Sequence, residues 1–81
     1  MKNEIRIIQV DDINIGKNIK TLREKNNLTQ TDILAKLQLK GVEISVYSLS
    51  KIENGRQNPT VSLLSALTEI LDCDYNTFFE Q

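Results

Sequence analysis

Residues 28–55 read LTQTDILAKLQLKGVEISVYSLSKIENG. Thr29 belongs to the residue types that cap a helix N-terminus, and Asp32, a shorter relative of Glu three residues on, can return the reciprocal hydrogen bond of a capping box. Ile33, Leu34 and Leu37 supply an apolar face, so the spacing predicts a helix to about Leu39. Lys40-Gly41 closes it, because glycine tolerates the left-handed conformation in which many helices end. After a connection from Val42 to Ile44, Ser45 is a second N-cap. The helix behind it turns Leu49 and Ile52 inward and leaves Val46, Tyr47, Ser50 and Lys51 on its other side, until Asn54-Gly55 ends it.

Working outward, Ile15, Ile19 and Leu22 recur at helical spacing from the change of pattern at Asp12, with Lys17, Lys20, Arg23 and Lys25 mostly opposite them, and Asn26-Asn27 stops the run. Downstream, Thr60 caps a fourth helix expected to bury Val61, Leu64, Leu67, Ile70 and Leu71. Asp74 caps a last short one containing Tyr75, Phe78 and Phe79. Five helices on short loops make an all-α domain over residues 13–81. Residues 1–12, with Ile5, Ile7, Ile8 and Val10, form an N-terminal extension that reads as a short edge strand or an arm.

With 81 residues there is room for one domain. Forty per cent hydrophobic and 26% charged side chains, with three Gly and one Pro, exclude disordered and collagen-like classes. No apolar run approaches the length of a membrane span. A single cysteine, Cys73, precludes an internal disulfide. Together with the lack of a signal peptide it sets the expectation of a cytoplasmic protein.

The net charge of −1 hides a partition. Residues 13–60 hold eight basic and four acidic side chains, a net of +4, whereas residues from 61 onward hold Glu69, Asp72, Asp74 and Glu80 and no base. A basic middle suits a polyanion. With no histidine, one cysteine, no glycine-rich phosphate loop and no carboxylate pair beyond Asp72 and Asp74, which read as turn and cap residues, no enzyme activity, metal or cofactor is expected.

Two helices joined by a brief turn, the second short and polar outside, are the minimum needed to place side chains in a DNA major groove. Leu28-Thr29-Gln30, then Ala35 and Leu37, Ser45, the run Leu49-Ser50-Lys51-Ile52-Glu53-Asn54-Gly55 and Asn58-Pro59-Thr60 closely resemble the Cro/phage-repressor (Xre-like) helix-turn-helix family. The resemblance extends from residue 13 to about 79. It implies a compact five-helix, lambda-repressor-like domain that binds double-stranded DNA as a transcriptional regulator, most often a repressor, with residues 46–54 as recognition helix.

Carried onto this chain, the resemblance makes Ser45, Val46, Tyr47 and Lys51 the base-edge readers, with Ser50 beside them. Lys51 can donate to guanine O6 or N7, and Val46 and Tyr47 can pack on a thymine methyl. Thr29 and Gln30, at a helix start, suit a phosphate, with Gln30 the leading clamp. Asn54, Arg56 and Asn58 fall beside neighbouring phosphates. Each has a plainer reading: Ser45 as a cap, Tyr47 as a surface aromatic, Lys51 as a solvated charge. The resemblance also pairs Arg23 with Glu53 as a structural ion pair.

From Ala35 to Ser45 there are about four more residues than the common family spacing, which implies a longer second helix or a wider turn, leaves the docking pose open, and can bring Lys40 to a phosphate. A homodimer reading two half-sites is the mechanical expectation, with the Ile-rich extension able to pair across it. The rival is an antitoxin or adaptor role on the same fold, using the acidic end with Tyr75, Phe78 and Phe79 as a protein contact.

Overall fold

A computed structural model describes residues 14–80, so the extension read as a strand or arm lies outside the described residues. Five helices follow in order: α1 (Ile15–Lys25), α2 (Gln30–Leu39), α3 (Val46–Glu53), α4 (Val61–Ile70) and α5 (Tyr75–Phe78), with no strand among the described residues. Each begins the same way. The side chains of Asn14, Thr29, Ser45, Thr60 and Asp74 accept the backbone N–H three residues on, satisfying one of the donors a helix start leaves over. At α2 the capping box is complete, since the Asp32 carboxylate accepts the Thr29 N–H at 2.8 Å.

Helix ends are equally regular. Asn27, Gly41, Gly55 and Asp72 take positive φ (59°, 82°, 78° and 53°) just past α1 to α4. The next amide then reaches back to the last turn: Leu28 to the Arg23 carbonyl, Val42 to Leu37, Arg56 to Lys51 and Cys73 to Thr68, at 2.8–3.1 Å. These closures reverse the chain within a few residues.

Ile15, Ile19, Ile33, Leu37, Leu49, Ile52, Leu63, Leu64, Leu67, Leu71 and Phe78 form one buried cluster. Val61 corrects the sequence expectation. At the first position of α4 it is 38% exposed, and Leu63 with Ala66 takes the buried register instead, because the Thr60 cap turns the first residue of the helix outward. Ile70 and Leu34 are half-buried at the margin. Both resolutions of the long spacing occur together: α2 runs to Leu39, and residues 40–45 make a wide turn in which Val42 and Ile44 pack against the core.

Helix α3 leans on α1 and α2, α2 packs on α4, and α5 closes against α1 and α4. Gly16 seats α3. A Cβ there would stand 1.8 Å from the Ile52 carbonyl oxygen, so only glycine lets α1 and α3 approach this closely. At the other end, Asn18 Nδ2 donates to the Phe78 and Glu80 carbonyls at 2.7 and 2.8 Å and ties the chain's last turn to α1.

Candidate nucleic-acid interface

Helix α3 buries Leu49, Ile52 and Glu53, which fixes its opposite face outward. On that face Val46 is 50% and Tyr47 70% exposed. Lys51, one turn after Tyr47, holds its Nζ over the Tyr47 ring, 5.1 Å from the centroid, so the two present one cationic, aromatic surface. Ser45 is exposed at the start of the helix, and Asn54 and Arg56 are exposed at its end. The cap hydroxyls of Thr29 and Ser45 accept backbone amides from Asp32 and Ser48, and the Ser45 hydroxyl keeps a proton to donate, whereas the Thr29 hydroxyl also bonds the Asp32 carboxylate.

Beneath this face runs a polar chain that joins three helices. Arg23, on α1, donates from Nε to Glu53 Oε2 at 2.8 Å and from Nη2 to Oε1 at 3.0 Å, and from Nη1 to the Leu28 carbonyl at 2.8 Å. Both partners are buried, at 8% and 5% exposure. The fork raises the guanidinium pKa above its ordinary value, chiefly through the side-chain hydrogen bond to Glu53. Gln30, the first residue of α2, extends the chain: its Nε2 donates to Glu53 Oε1 at 3.0 Å and its Oε1 accepts from Ser50 Oγ at 3.2 Å. Thus α3 is oriented by α1 and α2 through side chains with specific donors and acceptors.

A helix-turn-helix family profile matches residues 19–78, most of the chain and all of this assembly. The chain belongs to the helix-turn-helix family. Its type is the Cro/C1-like, Xre-like one, a family of DNA-binding transcription regulators. No curated protein and no solved structure matches it.

Within this helix-turn-helix domain the candidate residues divide. Ser45, Val46, Tyr47 and Lys51 share the open face of α3, with Ser50 half-buried at its α2 side. Thr29 and Gln30 lie at the start of α2, but the Gln30 amide is engaged inside the protein at both its oxygen and its nitrogen. Lys40 stands apart. It is the C-cap of α2, about 15 Å of helix away from Gln30, and its Nζ meets Glu69 Oε1 of α4 at 2.6 Å. Asn58 is half-buried in the loop before α4. Ala35, part of the quoted motif, is exposed.

Three connections between elements escape a reading of the sequence. Gly16 sits in the first turn of α1, where an isolated glycine in a helical pattern is the available signal of a close approach. Gln30 and Ser50 are linked across 20 residues, and Asn18 reaches residues 60 and 62 positions away. The aromatic end also divides: Phe78 is core, whereas Tyr75 and Phe79 are exposed. Burial raises the Cys73 thiol pKa, with Asp74 and Asp72 adding to the effect, which keeps sulfur in its unreactive protonated form.

Proposed function

We propose that this protein is a sequence-specific repressor that binds double-stranded DNA as a homodimer, with α3 in the major groove, and that it works in the cytoplasm without enzymatic activity, metal or cofactor. The observation that carries the reading is the open face of α3, where Val46, Tyr47 and Lys51 project side by side over a helix whose back is fully buried. Lys51 donates to guanine, and Val46 and the Tyr47 ring cover a thymine methyl. The Ser45 hydroxyl proton, the first-turn N–H groups of α2 behind the Thr29 cap, and Asn54, Arg56 and Asn58 hold the flanking phosphates. Gln30 contributes through its backbone N–H, its side-chain groups being partnered by Ser50 and Glu53. Lys40 drops out of the phosphate set because Glu69 holds it on the α2–α4 side. The domain occupies residues 13–81 with 1–12 as an extension.

Two copies reading half-sites about 34–36 Å apart supply the affinity that one short module lacks. Selection of bound sequences from a random duplex pool, at two salt concentrations, tests the proposal. A short inverted repeat whose affinity falls steeply with salt is the expected result. Sequence-independent binding, or none, would defeat it.

A second reading rests on Tyr75 and Phe79, exposed beside Asp72, Asp74 and Glu80. An aromatic, acidic end of this kind suits a protein partner, as in an antitoxin or adaptor. If the duplex selection fails, substituting Tyr75 and Phe79 becomes the informative experiment.

A further inference from the structure

The polar chain beneath α3 has a fixed direction, and that direction reaches the DNA-facing surface. A carboxylate has no hydrogen to give, so Glu53 Oε1 imposes a donor on the atom that meets it at 3.0 Å, and Gln30 must turn its Nε2 there. The opposite flip would set two acceptors, Gln30 Oε1 and Glu53 Oε1, against each other. With Nε2 committed, Gln30 Oε1 faces Ser50 Oγ at 3.2 Å and can only accept. The Ser50 hydroxyl owns one proton, and that proton points inward to Gln30. Arg23 anchors the sequence at its other end by donating twice to the same Glu53 carboxylate.

From this we infer that Ser50 is a specificity-determining residue that offers only lone pairs to a base edge, and therefore reads an exocyclic amine, adenine N6 or cytosine N4, and not guanine or thymine. A serine hydroxyl free to rotate would serve either a donor or an acceptor and discriminate little. Ser50 is half-buried on the α2 side of α3, adjoining the face that carries Val46, Tyr47 and Lys51, which places its outer lone pairs at the margin of that face. Gln30 is then a positioning residue: it decides which partner Ser50 can take without touching the base. The inference rests on the proposed duplex-reading role of α3.

Sequence selection from a random duplex pool is run in parallel on the wild-type protein, Ser50→Ala and Gln30→Ala, with thermal unfolding of each. The wild type is expected to prefer adenine or cytosine at one half-site position, and Ser50→Ala to become indifferent there while keeping the rest of the motif. Gln30→Ala, which frees the hydroxyl proton, is expected to admit guanine or thymine at that position. If Gln30→Ala does not fold, a duplex carrying purine in place of adenine, or 2-pyrimidinone in place of cytosine, and bound by the wild-type protein, removes the amine directly. The loss expected for one hydrogen bond is about three- to tenfold in affinity for the wild type and none for Ser50→Ala. A position that depends on Ser50 but prefers guanine or thymine, or a motif in which no position responds to Ser50→Ala, overturns the inference and leaves DNA reading by α3 intact. No enriched motif for the wild type overturns both.

Discussion

Glu53 is the residue on which the arrangement turns, because it accepts from Arg23 and Gln30 while buried. Removing it orphans a buried guanidinium and an amide donor, and breaking such a pair from one side costs about 3–5 kcal/mol. Glu53→Ala is expected to lose that much in urea denaturation, and with it any duplex binding. Glu53→Gln should retain shape yet lose most of the charge-assisted bonding, so a stability equal to wild type would contradict the assigned role. A milder, pH-dependent effect belongs to Asp32. Its carboxyl pKa lies below the usual carboxylate range because it accepts the Thr29 backbone N–H and, next in size, bonds the Thr29 side chain. A depressed folded pKa stabilises the protein above the unfolded value near 3.9 and loses that contribution as pH falls through the folded one. The melting-temperature gap between wild type and Asp32→Asn should therefore be present at pH 7 and close in acid below the ordinary carboxylate range. A gap that persisted unchanged there would assign it to something other than this ionisation.

Helix boundaries were legible in the sequence because capping is local: the cap side chain and the amide it accepts are three residues apart, and all four caps read from the sequence, Thr29, Ser45, Thr60 and Asp74, lie where those residues stand. The stops at Lys40-Gly41 and Asn54-Gly55 are local in the same sense. Val61 shows the limit, since periodicity alone does not say whether an apolar residue at the first helical position turns in or out. What was not legible is how helices meet. The link between Gln30 and Ser50 depends on side chains 20 residues apart, and the seat of α3 depends on a glycine whose neighbour in space is Ile52. Gly16→Ala tests that seat. With the added carbon at 1.8 Å from a carbonyl oxygen, backbone must move, so the expected cost is about 1–3 kcal/mol. Duplex affinity should fall further than stability alone explains at temperatures where the variant is folded. A Gly16→Ala protein that binds and melts like wild type would mean that α1 and α3 tolerate separation. The helix ends offer the opposite sign: Asp72 holds φ of 53°, a conformation glycine adopts without the Cβ penalty, so Asp72→Gly should raise the melting temperature slightly.

Charge is arranged over the molecule as a whole. Residues 13–60 carry a net +4 and residues from 61 onward carry only acid. The two parts are interleaved in the fold, since α5 packs on α1, α4 packs on α2, and Lys40 of α2 meets Glu69 of α4. Salt dependence measures how many cations take part, because each phosphate neutralised releases counterions and contributes about 0.9 to the slope of log affinity against log salt. Arg56 is exposed just past α3 and is expected to be one such cation, whereas Lys40 already faces Glu69 at 2.6 Å. Titration of a selected duplex across a salt series should therefore give Arg56→Ala a slope shallower by about 0.9 per protomer and leave the Lys40→Ala slope at the wild-type value. Equal reductions would bring the C-terminal end of α2 against the DNA backbone, and the proposed pose of the domain would have to be rotated to allow it.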